Sequence, residues 1–191
     1  KTHQHAFTPR VGMVYSMLPS TNLYATWIRG FEPQSVAVQS NPASGGPFDP
    51  VESELWEVGV KGEYLNKRLS VTAALLSLRQ KNTLYNAGVS GQPDLMVPIG
   101  EELSRGVEFD VSGRILPYWS IMASYAFNVA EISKAPEGTK DLNLQRPGTP
   151  RHSANLWTKF IVPTGMLRHL GIGVGLNGVS ERKGQVGRRE N

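Results

Sequence analysis

Apolar side chains alternate with small or charged ones along most of the chain, as in strands whose successive residues point to opposite faces. Val11, Met13, Tyr15 and Met17 alternate with Arg10, Gly12, Val14 and Ser16, and Trp56, Val58, Val60 and Tyr64 alternate with Glu57, Gly59, Lys61 and Glu63. Val107, Phe109 and Val111 oppose Gly106, Glu108, Asp110 and Ser112; Ile121, Ala123, Tyr125, Phe127 and Val129 oppose Met122, Ser124, Ala126 and Asn128. Leu170, Ile172, Val174 and Leu176 oppose Gly171, Gly173, Gly175 and Asn177. Three weaker segments, 23–31, 69–81 and 153–160, complete the set, and the phase blurs at Leu75, Leu76 and Leu78, where a bulge is expected. The pattern predicts an all-β, antiparallel, up-and-down arrangement of eight strands at 10–17, 23–31, 55–64, 69–81, 104–113, 120–130, 152–160 and 170–179.

These strands leave connections of 5, 23, 4, 22, 6, 21 and 9 residues, so short and long alternate without exception. Soluble sandwiches have no reason to gather every long connection at one end, whereas outer-membrane barrels pair short periplasmic turns with long extracellular loops. Strands of about 9–11 residues also suit a tilted membrane crossing. Aromatic rings collect at both ends, as amphipathic groups do where hydrocarbon meets headgroups. Tyr15, Tyr64, Trp119 and Phe160 lie near short turns, and Trp27, Phe31, Trp56 and Phe127 lie near long ones. A general preference of aromatics for strands is the plainer explanation, but it leaves the alternation of connection lengths unexplained. Val58, Val60, Val107, Phe109, Ile121, Ala123, Ile172 and Val174 are expected to face lipid, and Glu57, Lys61, Glu108, Asp110, Asn128 and Asn177 to face a lumen. The connections 32–54, 82–103 and 131–151 are rich in Pro and Gly, which resist regular structure, and connections of such length are usually functional.

Composition narrows the picture. Gly 20 and Pro 13 in 191 residues make coiled coils and helical bundles poor fits, and Cys 0 excludes disulfide scaffolds and thiol chemistry. No run of apolar residues is long enough for a membrane helix, which says nothing against a barrel. The formal charge is +4, with Arg182, Lys183, Arg188 and Arg189 in the last ten positions. Residues 1–180 hold 16 Lys and Arg against 14 Asp and Glu, so no nucleic-acid surface is expected. The basic tail could meet lipopolysaccharide phosphates or another anion, although a solvated loop is its ordinary reading.

Gly173, Gly175 and Gly178 match the dinucleotide fingerprint by letter, but that motif must open a helix after a strand, and here the glycines belong to an alternating strand. Small residues on one face instead indicate that something packs closely against that wall. His3 and His5 share a face if extended but lack a third metal ligand, so no metal site is expected. His152 and His169 have no nucleophile arranged beside them. No catalytic residues are assigned, and no enzymatic activity is expected.

The wording of the strands carries further information. Thr8-Pro9-Arg10-Val11-Gly12, then Leu23-Tyr24-Ala25 and Phe31-Glu32-Pro33, resembles a mid-barrel hairpin of TonB-dependent siderophore receptors. Glu54-Leu55-Trp56-Glu57-Val58-Gly59-Val60-Lys61, Arg68-Leu69-Ser70-Val71-Thr72-Ala73-Ala74-Leu75 and Lys81-Asn82 are similar to that family's recurrent hairpin. Ser104-Arg105-Gly106-Val107-Glu108 and Pro150-Arg151-His152-Ser153-Ala154-Asn155-Leu156-Trp157-Thr158 resemble two later strands. The likeness covers about residues 8–182 in order. It implies part of an outer-membrane receptor that imports a ferric siderophore, the iron staying coordinated by the siderophore rather than held by the protein as a cofactor.

The family's barrel has 22 strands around a plug. Residues 1–191 are therefore expected to be a partial outer-membrane barrel domain, with the plug and the remaining strands absent. The implied partners are the ferric siderophore, outer-membrane lipid and lipopolysaccharide, and an inner-membrane energy-coupling complex reached through the missing plug. Tyr85 and Trp157 are the candidate ligand-binding residues, since rigid amphipathic rings contact a bulky chelate at little entropic cost; packing against the plug explains Trp157 equally well. Two other readings stay open, a self-contained eight-stranded outer-membrane barrel with a structural or adhesive role and a soluble lipocalin-like barrel.

Overall fold

The computed structural model of the chain describes residues 6–98, 100–134, 144–146 and 148–182. Eight strands form one antiparallel sheet: β1 (Arg10–Leu18), β2 (Thr21–Glu32), β3 (Val51–Tyr64), β4 (Leu69–Lys81), β7 (Glu101–Leu116), β8 (Trp119–Lys134), β9 (His152–Ile161) and β10 (Gly171–Val179). Each strand pairs with its neighbours in chain order, β1-β2-β3-β4-β7-β8-β9-β10, so the connections 33–50, 82–100 and 135–151 all lie at one end. Every predicted strand is present.

Several details differ from the sequence reading. The strands reach further at the long-connection end, taking in Val51 to Glu54, Glu101 to Leu103 and Glu131 to Lys134. The long connections are also not free of regular structure. The first holds a short helix, α1 (Val36–Ser40), capped by the Ser35 hydroxyl, and a 3₁₀ turn (Pro42–Ser44). The second folds into a ribbon of β5 (Leu84–Asn86) and β6 (Met96–Pro98). No bulge occurs at Leu75 to Leu78, because β4 pairs in unbroken register with β3 and β7. Leu76 and Leu78 simply occupy the polar face, opposite Gly106 and Ser104. The register shifts lie instead between Ser16 and Leu18, Glu101 and Glu102, and Arg114 and Leu116.

Register divides the sheet into two chemically distinct faces. Ala25, Val58, Leu75, Val107 and Phe127 line up across five strands, and Ala73, Phe109, Tyr125 and Ala154 form the next row. Val60, Ile121, Ala123, Ile172 and Val174 share this apolar face. The opposite face carries Glu57, Lys61, Glu108, Asp110, Asn128 and Asn177. All eight girdle aromatics fall on the apolar face. At the long-connection end Trp27 packs on Trp56 with ring centroids 5.9 Å apart, and both indole N–H groups donate to Glu54. At the other end the Trp119 indole donates to Thr158 at 2.8 Å.

The buried apolar residues among those described are Ala74, Ala130 and Ile132 alone, while Val58, Phe109, Ile172 and Leu176 lie exposed. An apolar face this large has no interior of its own to fill, and hydrocarbon is the solvent that suits it. The sheet does not close: β1 and β10 end it on either side, and both are exposed along their whole length. A self-contained eight-stranded barrel, whether membrane-bound or lipocalin-like, is therefore not what these strands form, since closure requires the two edges to pair.

Candidate functional site

The polar face holds a groove of about 610 Å³ over β7 to β10, lined on that face by Asp110, Ser112, Met122, Ser124, Asn155, Trp157 and Asn177. Asn177 donates to Asn155, which donates to Ser124 at 3.2 Å, so amide and hydroxyl groups form a transverse ladder across three strands. Ser104 donates to Asn128 at 2.7 Å higher on the same face, and Tyr24 donates to Glu57 at 2.6 Å. Trp157 lies flat over its neighbour strand: a Cβ added at Gly173 or Gly175 would sit 2.8 or 2.9 Å from the indole. The close packing expected against the glycine wall is thus supplied by Trp157 itself. Trp157 is 49% exposed and lines the groove.

Tyr85 lies elsewhere, on the β5–β6 ribbon. Its hydroxyl donates to Glu102, whose side chain is only 5% exposed. Burial first, and then the bond to the Glu102 carboxylate, push the Tyr85 phenol well above its ordinary range, so it stays protonated and a donor. Arg146 approaches the same carboxylate at 3.7 Å and donates to Gln80 at 3.4 Å. Gln80 and Glu102 face each other in the β4–β7 register, so the cluster sits on the polar side at the long-connection end. The structure does not bring Tyr85 and Trp157 into one site: Tyr85 sits on the ribbon against Glu102, and Trp157 lines the groove.

Glu102 and Arg146 escaped the sequence reading because neither lies in a motif; adjacent glutamates at the start of a strand are a weak signal that only the fold interprets. Among the described residues no group of three or more His, Cys, Asp or Glu is placed to hold a metal. His152 packs at a tilt against Phe127 with centroids 5.0 Å apart and shares a 2.9 Å hydrogen bond with Tyr125, which makes it part of the apolar face's packing. His3, His5, Lys183, Arg188 and Arg189 lie outside the described residues, while Arg182 stands exposed after β10.

Comparison with known proteins gives a consistent family. Residues 1–187 match the family model of the TonB dependent receptor-like β-barrel. The chain is 31% identical over 185 residues to the metal-pseudopaline receptor CntO of Pseudomonas aeruginosa, covering 95% of this chain and 24% of that protein. It is 29% identical over 173 residues to the ferric-pyoverdine BN7/BN8 receptor of Pseudomonas putida, covering 90% of this chain and 19% of that one. The alcaligin outer-membrane receptor FauA from Bordetella pertussis superposes with a TM-score of 0.69 at 29% identity, over 93% of this chain and 30% of that structure. The chain therefore spans about a quarter of the length of the curated receptors it resembles.

Proposed function

This chain belongs to the TonB-dependent receptor β-barrel family of the bacterial outer membrane, and from that premise we propose that it forms part of the wall of a receptor importing a ferric siderophore with energy coupled from the inner membrane. The observation that carries the reading is the two-faced open sheet with every long connection at one end, matched to the family across residues 1–187. The apolar face meets outer-membrane lipid, and the exposed rim above it meets lipopolysaccharide. The polar face, with its amide ladder and the Trp157 ring, lines the lumen. Strands beyond β1 and β10 pair with the open edges, because unpaired backbone groups in hydrocarbon each cost several kcal/mol. The chelate keeps its own iron, so the protein supplies enclosure and carries out no catalysis.

Uptake is the test. A strain deleted for the full-length gene, with and without complementation, is given labelled ferric hydroxamate, catecholate and mixed-ligand siderophores. At least one is expected to accumulate only in the complemented strain and only while the inner membrane is energised. Accumulation of none, with the receptor present at the surface, overturns the import reading.

A further inference from the structure

The long connections are fastened to one another, and we infer that Glu102 is the shared side-chain anchor of the β5–β6 ribbon and the Leu144–Arg146 segment, bonded to each independently. The inference uses the proposed reading only to say that these segments face the cell exterior.

Glu101 and Glu102 are adjacent, both buried, and sit at a register shift where β7 leaves β8. As adjacent strand residues they face opposite sides of the sheet and meet different partners. Glu101 accepts from Ser133 at 3.0 Å and Lys134 at 3.2 Å, and pairs with Arg79 at 3.5 Å, so its contacts stay within the strands. Glu102 takes its partners from the connections: Tyr85 from the ribbon and Arg146 from the third connection. Its Oε2 is buried with no hydrogen-bond partner among the described residues. A carboxylate so withdrawn from water depends on the few groups it does meet, and they depend on it.

The second connection also holds the first. Gln34 donates to the Asn82 carbonyl at 2.8 Å, Asn82 donates to the Pro50 carbonyl at 2.9 Å, and Gly45 lies against Leu95. Arg146 is tied to β8 by its backbone N–H, which donates to Ala130 at 2.9 Å. Contacts therefore run from connection 33–50 to Asn82 and Leu95 of the second connection, and from Tyr85 of that same connection to Glu102 and on to Arg146.

Amide hydrogen exchange on the full-length receptor in lipid vesicles tests this, with correct assembly checked by heat-modifiable mobility. Glu102→Ala is expected to raise exchange at least about tenfold both within 84–98 and at Arg146. Tyr85→Phe should do so within 84–98 alone and Arg146→Met at Arg146 alone, so these two carry the test if the first variant does not assemble. Glu101→Ala should leave both regions within about twofold of the parent. Unchanged exchange in Glu102→Ala, or in Tyr85→Phe and Arg146→Met together, overturns the inference, as does an equal effect of Glu101→Ala. The readout is independent of transport, so its failure is distinguishable from failure of the import reading.

Discussion

At the residue scale, the inner wall is shaped by flat rings laid across glycines. Trp157 covers Gly173 and Gly175, and Tyr24 covers Gly59, where an added Cβ would lie 2.6 Å from the ring. Gly175→Val should push Trp157 off its strand and cost roughly 1–3 kcal/mol, the usual penalty of overpacking. Denaturant unfolding of the full-length receptor, followed by tryptophan fluorescence, measures it. Combined with Trp157→Ala the penalty should fall well below the sum of the two single changes, because the clash needs both partners. The sequence was informative here up to a point. Glycines on one parity of β10 indicate close packing from composition alone, but that the packing group is Trp157 depends on the β9–β10 register, a non-local fact. Tyr85 was likewise visible as a loop aromatic, while its bond to Glu102 joins residues brought together only by the fold.

At the scale of the strand, period-two alternation is a local property, and it fixed the facing of every position singled out on both faces. It lost the strand ends. Read along the chain, Glu52, Glu54, Glu101 and Glu131 look like solvated loop, yet they continue the apolar parity above the girdle. Register sets Glu52, Lys81, Glu101 and Lys134 side by side there, with signs alternating. A ladder that outruns the hydrocarbon must change from apolar to charged without changing phase, so hydrophobicity alone ends the strand too early. Phe109, beside Ala73 and Tyr125 in the apolar band, is the position to probe. Phe109→Arg should cost about 2–4 kcal/mol if it sits near the bilayer midplane and far less near an interface. Spin labels at positions 58, 109 and 172 should relax with oxygen dissolved in lipid; relaxation by water-soluble agents instead would invert the two faces.

At the scale of the molecule, the groove on the polar face is open because the sheet is open. A wall on one side leaves a bulky chelate solvated on the other and forgoes most of the enclosure that fixes a ligand. The 191-residue chain reconstituted in liposomes should therefore bind ferric siderophores no tighter than micromolar and should not take them up. Sub-micromolar binding, or any energised uptake, would place a complete site within these strands. The order β1-β2-β3-β4-β7-β8-β9-β10 has another consequence. Since each strand pairs only with those beside it in the chain, the wall grows around its circumference like a fence laid panel by panel, each hairpin adding about 10 Å. Adding or deleting a hairpin would widen or narrow such a wall without rethreading any other strand, and the register of each remaining pair, with the two-sided chemistry it encodes, would stay intact.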